Sequence, residues 1–310
     1  MIRFFKSQQV ATLFIIPVIV LLLWAQSFFG DSFVLKMEGM PLQNLLMNIL
    51  ASFPEFVQVL FGIAFVSFGA IYLSILVNRH EVLYRNSYLP AFMYVLLMSC
   101  ALPLLQFHPV ILVNLIMMVV LDKTFILFKV ESPVSPLFDS SFLISIASLL
   151  YFPAAVFFIL FLMAVAMLRP FNIREWVIAF VGFLLPYFFL CVYFFWTDQF
   201  QNGWNQIIER FNPGLFKFEF VWSQPLLWLI TIFSLLLLLS FYHLRQNFYK
   251  NVIRTRAYQQ ILFLYLFIDC RDFFPAAWFC TIVPVDHAGY SPGGIFQLLF
   301  FVRCQKTMDV

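Results

Sequence analysis

Long uncharged stretches alternate with short charged segments along this chain. Four of the stretches run for about 22–25 residues between charged neighbours, and they are Ser7–Gly30, Phe56–Asn78, Trp176–Thr197 and Phe220–Leu244. A helix needs about 20 apolar residues to cross about 30 Å of hydrocarbon. Each of the four is therefore predicted to be a transmembrane helix.

Two further stretches, Asn86–Leu121 and Ser140–Leu168, are ambiguous, with 36 and 29 residues. The second is too long for one upright crossing and looks too short for two. Lys and Arg collect in cytoplasmic loops. A double crossing of both stretches places 12 Lys and Arg residues inside and three outside up to Arg256, whereas single crossings give ten and five. We therefore expect turns near Gln106–Pro109 and Pro153, since a proline ends or kinks a helix. One kinked, tilted helix is the alternative for Ser140–Leu168.

A segment with one apolar stripe lies between the first two spans. Residues 41–54 place apolar side chains at helical i, i+3, i+4 spacing, and these are Leu42, Leu45, Leu46, Ile49, Leu50 and Phe53. The polar Gln43, Asn44 and Asn48 fall toward the opposite side. The pattern predicts an amphipathic helix on the periplasmic surface, with a small loop domain as the alternative.

The composition agrees with a protein surrounded by lipid. Hydrophobic residues make up 63% of the 310 residues and charged residues only 11%, against about 25% in soluble domains. The predicted fold class is all-α: one polytopic transmembrane domain over 1–310 with roughly eight to ten membrane-embedded helices, some of them short. The start of the chain fits an uncleaved first helix in the bacterial inner membrane with a cytoplasmic N-terminus. Residues 284–310 lack this pattern; they are an atypical native tail or a truncated or altered terminus.

Several chemistries are disfavoured by the sequence. The five cysteines form no CxxC pair, which argues against disulfides and zinc. A histidine-ligated metal is not expected either, because His80 and His243 are predicted near the cytoplasmic face and His108 near the opposite face. A net charge of +3 without a basic patch predicts no nucleic-acid partner. Membrane lipids are the expected partners, and the sequence indicates no particular cofactor.

Two resemblances add to this interpretation. The segments "MIRFFKSQQ", "NRHEVLYRNSYLPAFMYVLL" and "LFDSSFLISIASLLYFPAAVFFILF" resemble an uncharacterised family of multi-pass membrane proteins from Bacteroidota, over most of the chain to about residue 260. That family implies a location more than an activity.

The order of a long first periplasmic loop, a surface helix and short middle helices is similar to that of GT-C glycosyltransferases, which take sugars from polyprenyl-phosphate donors. The resemblance implies a cell-envelope enzyme with a lipid-linked sugar as partner and an acidic residue just after the first span, here Asp31 in "FFGDSF". A second acidic residue is common in the next periplasmic turn, where this chain has His108 in "QFHP". A non-enzymatic membrane scaffold, an assembly factor or a transporter-like protein is the alternative to an enzyme.

Candidate site residues follow from these positions. Asp31 with Glu38 and His108 would form a general-base group if the loop folds over the turn, whereas Asp31 as a simple helix-end marker is the alternative. Asp139 in "DSS" is predicted to be a helix N-cap. The basic residues of the cytoplasmic segments are expected to contact lipid headgroups or to set topology, and they are Arg169, Arg174, Arg245, Lys250, Arg254 and Arg256.

Overall fold

The structure is a computed structural model of the chain, and it describes residues 11–28, 41–82, 88–99, 107–128, 130, 132–198, 201 and 257–262. The secondary structure of these residues is helical, and no strand occurs among them. The predicted span Phe220–Leu244 and the tail 284–310 lie outside the described residues.

The helices follow one another with short connections. In chain order they are α1 (Ala11–Leu23), α2 (Pro41–Ala51), α3 (Glu55–Arg79), α4 (Leu89–Met98), α5 (Pro109–Ile126), α6 (Val134–Leu150), α7 (Val156–Leu168) and α8 (Ile173–Trp196), with 3-10 turns at Ala25–Phe28 and Phe152–Ala155. Residues 257–262 are also helical.

Three of these helices are long and apolar enough to cross a membrane. They are α3, α5 and α8. Two of them confirm spans read from the sequence, because α3 contains Phe56–Asn78 and α8 covers nearly all of Trp176–Thr197. The outward-facing side chains along α3 and α8 are largely apolar, for example Phe68, Phe188 and Val192. Such a surface fits contact with lipid, so the structure supports a membrane protein.

The chain doubles back within Asn86–Leu121, as the charge pattern predicts. α4 begins beside the second half of α3, where the amide of Ala91 donates to Oγ of Ser74 over 3.1 Å. α5 begins beside the first half of α3, where the rings of Phe107 and Phe65 lie 5.7 Å apart, and then runs back toward Arg79. α4 and α5 therefore run in opposite directions.

The stretch Ser140–Leu168 also doubles back, and the single kinked helix is wrong. α6 ends at Leu150, the chain turns through Phe152–Ala155 with Pro153 in the turn, and α7 returns. Arg169, directly after α7, donates to the backbone oxygen of Val130, which precedes α6, over 2.7 Å. The beginning of α6 and the end of α7 consequently lie at the same end of the bundle.

The connector between α5 and α6 is shorter than the sequence indicated. Asp122 and Lys123 belong to α5, and Asp139 lies inside α6. The prediction that Asp139 caps a helix is wrong, because α6 begins five residues earlier at Val134, after Pro133. Sequence hydropathy places a boundary at the first charge, whereas a helix continues wherever its charges find partners.

A tight seam joins α6 to α8. A Cβ atom added at Gly182 of α8 would meet Oγ of Ser141 and would lie 2.9 Å from the backbone oxygen of Phe138. Farther along the seam, Oγ of Ser148 and the hydroxyl of Tyr187 lie 2.7 Å apart. Small residues allow membrane helices to approach closely, and their polar groups bond across the contact. The seam therefore needs a glycine at position 182.

The structure buries Trp24, which lies near the end of the first apolar stretch. Its side chain is 0% exposed, its Nε1 donates to Oγ of Ser99 over 3.2 Å, and its ring lies against Gly62. The indole thus fills the space between α1, α3 and α4. An indole N–H that is buried needs such an acceptor.

The helix predicted in the first loop is present as α2. Its apolar Leu45 and Ile49 face outward and are each 55% exposed, while Gln43 is 4% exposed. At the C-terminal end of α2, Nε2 of Gln58 in α3 donates to the backbone oxygen atoms of Leu50 and Phe53. These bonds attach α2 to the start of α3.

Candidate functional site

Among the described residues, all four ion pairs lie at one end of the bundle. We call it the polar end and define it by Arg79, Asp122, Asp139 and Arg169. The far end is the opposite one, where α3 and α5 begin and α6 stops. The polar end is the candidate functional site because ionisable groups within a membrane protein are energetically costly, and those that are present often mark functional sites.

Asp122 is the centre of the polar end. Its Oδ1 lies 2.6 Å from Nε2 of His80, and its Oδ2 accepts from Nη1 of Arg79 over 3.3 Å and from the hydroxyl of Tyr72 over 3.4 Å. The side chains of His80 and Asp122 are 10% and 14% exposed, whereas that of Arg79 is 62% exposed. The carboxylate therefore connects α5 to the last turns of α3 and to His80, which directly follows it.

Residues 257–262 bring an aromatic side chain to the same place. The hydroxyl of Tyr258 donates to the backbone oxygen of Phe125 over 2.9 Å, and its ring lies 4.6 Å from that of Phe125 and 5.7 Å from that of His80. The amide of Gln259 donates to the oxygen of Val82 over 3.0 Å. The last carbonyls of a helix lack intrahelical donors, so Tyr258 satisfies one near the end of α5.

Lys123 and Asp139 form the bond between α5 and α6. Nζ of Lys123 lies 2.7 Å from Oδ2 of Asp139, and their side chains are 31% and 41% exposed. Exposed pairs of this kind contribute at most about 1 kcal/mol. The pair consequently contributes little to the stability of the protein, and its main effect is on the direction of the turn between α5 and α6.

Arg169 joins the end of α7 to the segment after α5. Its Nη1 donates to the backbone oxygen atoms of Leu127 and Val130, and its Nε lies 3.4 Å from Oε2 of Glu175. Only 20% of its side chain is exposed. Arg169, expected to contact headgroups, thus binds the protein itself, whereas Arg174 is exposed at the start of α8. Headgroup contact stays a prediction for Arg174, and the other four basic residues, Arg245 to Arg256, lie outside the described residues.

His108 has a structural environment at the far end. It is 2% exposed, and its Nδ1 accepts from the amide of Val110 over 3.1 Å as the N-cap of α5. Burial lowers the pKa of His108 from 6.5 to about 4, so the ring is neutral at pH 7. A buried ring with this lone pair already engaged is disfavoured as a general base. Asp31 and Glu38 lie outside the described residues, so their catalytic roles stay predictions.

The polar end can hold helices together, and the described residues offer no metal centre there. No group of three His, Cys, Asp or Glu side chains within the described part of the chain could hold an ion. The arrangement connects helix ends through three carboxylates, one lysine, two arginines and one histidine. Every one of these bonds crosses between different elements.

The sequence interpretation did not select Tyr72, His80 or Asp122. A signal was present, since His80 and Asp122 each end a long apolar stretch, and the charge pattern places both on one side of the membrane. A histidine, which can be positively charged, and an aspartate on the same side of the membrane are candidates for an ion pair. Tyr258 carried no comparable signal, because its contact bridges 133 positions of sequence.

Comparison of the chain with models of known protein families, with curated proteins and with solved structures finds no match in any of the three. The resemblances to the Bacteroidota family and to GT-C enzymes therefore stay predictions that rest on the quoted residues.

Proposed function

We propose that the chain is a multi-pass protein of the bacterial inner membrane with a cytoplasmic N-terminus, and that it is a non-enzymatic scaffold or assembly factor. The three apolar helices support the membrane location. The polar end, with its Lys and Arg residues, would face the cytoplasm. The bundle would be completed to roughly eight to ten embedded helices by segments outside the described residues, in accordance with the apolar stretches of the sequence.

One observation carries the scaffold proposal: the ion pairs of the described residues connect separate elements. Asp122 connects α5 to α3 and His80, Lys123 connects α5 to α6, and Arg169 connects the end of α7 to the connector after α5 and to α8. An active site keeps polar groups directed at a cleft. Groups used in this way instead fix the relative positions of helices, which is what a scaffold requires.

A second candidate function is GT-C-like glycosyl transfer from a polyprenyl-phosphate-linked sugar in envelope glycan assembly. The position of α2 favours it, because the helix lies in the first long loop and packs against the end of a short helical hairpin, which is the arrangement expected for that superfamily. With His108 in a capping position, Asp31 and Glu38 carry this hypothesis.

One complementation experiment separates the two functions. A deletion strain receives the wild-type chain, Asp31→Asn, Glu38→Gln or Gly182→Leu, and both the phenotype and the amount of protein in the membrane are measured. The scaffold proposal expects Asp31→Asn and Glu38→Gln to complement fully, and Gly182→Leu to lose protein and function together.

If Asp31→Asn fails to restore the wild-type envelope glycan although its protein level is unchanged, the scaffold is rejected and the enzyme is supported. Transfer of sugar from a polyprenyl-phosphate donor by the purified wild-type chain, absent from Asp31→Asn, would then identify the activity.

A further inference from the structure

α2 and the end of α6 enclose an apolar groove at the far end. The groove has a volume of about 390 Å³, and the described residues that line it are all aliphatic: Leu42, Leu45, Leu46, Ile49, Leu50 and Leu150. We call it the α2 groove. Since no polar side chain of the described residues lines it, an occupant held there by hydrogen bonds is disfavoured.

The groove lies where the helical hairpin stops short. α6 has 17 residues and α7 has 13, so at about 1.5 Å per residue they reach about 25 Å and 20 Å from the polar end. α3 and α8 also have one end at the polar end, and their 25 and 24 residues reach about 37 Å and 36 Å. The hairpin thus stops short of the end of α3 that is opposite the polar end.

A bilayer has about 30 Å of hydrocarbon, which neither α6 nor α7 fills. A short hydrophobic segment is accommodated by local thinning of the bilayer or by neighbouring groups. Here α2 covers the gap, since Gln58 attaches it to α3 and its Leu42 and Leu46 pack against the core around α6. The space left between α2 and Leu150 is therefore hydrocarbon in character.

The groove is continuous with the apolar outer surface. Leu45 and Ile49 line it and are each 55% exposed, and Phe53, just after α2, and Phe56, at the start of α3, are 45% and 60% exposed. A surface of this kind is stable against lipid and unfavourable against water. The occupant can thus enter sideways from the surrounding leaflet.

We propose that the α2 groove binds one acyl chain of a membrane phospholipid. This acyl chain extends into the space beyond the end of the hairpin. It fills the volume that the side chains of a full-length helix would fill. Its binding energy comes from apolar contact alone, so the groove selects a chain and not a headgroup.

Photolabelling of the full chain in lipid nanodiscs tests this proposal. The probe is a phosphatidylethanolamine with a diazirine near the end of one acyl chain, and cross-links are located by mass spectrometry. We expect the yield on 41–50 to exceed that around Leu184 of α8, which is 58% exposed and outside the groove. Equal yields at the two places would overturn the proposal.

Two variants fill the groove without altering the core. Leu45→Trp and Ile49→Trp change exposed lining positions and should each lower the yield on 41–50 by about tenfold, which corresponds to about 1.4 kcal/mol of binding. Leu184→Trp is the matched control and should leave that yield unchanged. Labelling of α8 in every variant shows that the protein is folded. An unchanged yield in both groove variants would reject the site.

Competition with unlabelled lipids identifies the kind of hydrocarbon chain that occupies the α2 groove. Excess unlabelled phosphatidylethanolamine should displace the probe in proportion to its concentration. If a polyprenyl phosphate displaces the probe at a small fraction of that concentration, the occupant is a polyprenyl chain and the phospholipid assignment is wrong.

Discussion

Nε2 of His80 lies 2.6 Å from Oδ1 of Asp122, and this contact fixes the end of α3 to α5. The two side chains are 10% and 14% exposed. Around them, Arg79 and Tyr72 bind the other carboxylate oxygen, and the rings of Phe125 and Tyr258 pack against the imidazole. Removing the carboxylate would leave several donors without their acceptor.

Asp122→Asn should destabilise the protein by about 3 kcal/mol, because breaking one partner out of a buried pair leaves the other uncompensated. Thermal unfolding in detergent, followed by circular dichroism, measures the change. Asp139→Asn is the matched control, since Asp139 also pairs with a basic residue but is 41% exposed, and it should cost less than about 1 kcal/mol. Equal effects of the two substitutions would contradict a central role for Asp122.

Gly182→Ala should cost about 1–3 kcal/mol, as overpacking does, because the added methyl group meets Ser141 and the backbone at Phe138. The same unfolding measurement applies. Gly69→Ala is the control, since its methyl group would lie 3.1 Å from the hydroxyl of Tyr94, the far end of a side chain. In addition, Ser141→Ala should recover part of the loss in the double variant, and strict additivity would show that the two positions do not contact each other.

The free energy of unfolding should decrease as the pH is lowered, because His108 becomes protonated. The pKa of this group is about 4 in the folded protein and 6.5 in the unfolded chain. Its neutral form therefore stabilises the fold above pH 6.5, and this contribution, about 3 kcal/mol, is lost as the pH falls toward 4.

His108→Asn isolates that contribution. Asparagine also accepts from the first-turn amides at an N-cap but does not titrate. Melting temperatures of the variant should depend less steeply on pH between 6.5 and 4 than those of the wild type. Identical pH profiles would assign the acid sensitivity to other groups.

Labelling of single cysteines tests the topology. Ser132 is exposed beside the polar end and Tyr151 lies in the turn between α6 and α7, so Ser132→Cys should be protected from an impermeant maleimide in intact spheroplasts and Tyr151→Cys should react. A background with the five native cysteines replaced is required. Reaction at Ser132 would reverse the assigned sides, and reaction at both would contradict the hairpin.

Hydropathy and charge were sufficient to predict the helical class, the spans within α3 and α8, and the two reversals of the chain. These features depend on hydropathy and charge summed over neighbouring residues, which can be read directly from the sequence. The partners of Asp122 and the burial of Trp24 depend on contacts between distant segments, about which hydropathy and charge give no information. The burial of Gln43 in α2 was not predicted for the same reason, because it also depends on contact with the rest of the protein.

α8 contacts the described bundle mainly through α6, and only 17% of its most apolar window is buried. Its hydropathy alone suffices for a membrane-spanning position, so the seam along Gly182 fixes where α8 stands beside α6 and is not needed to keep it in the membrane. Most of the surface of α8 is consequently left for contact with the surrounding bilayer.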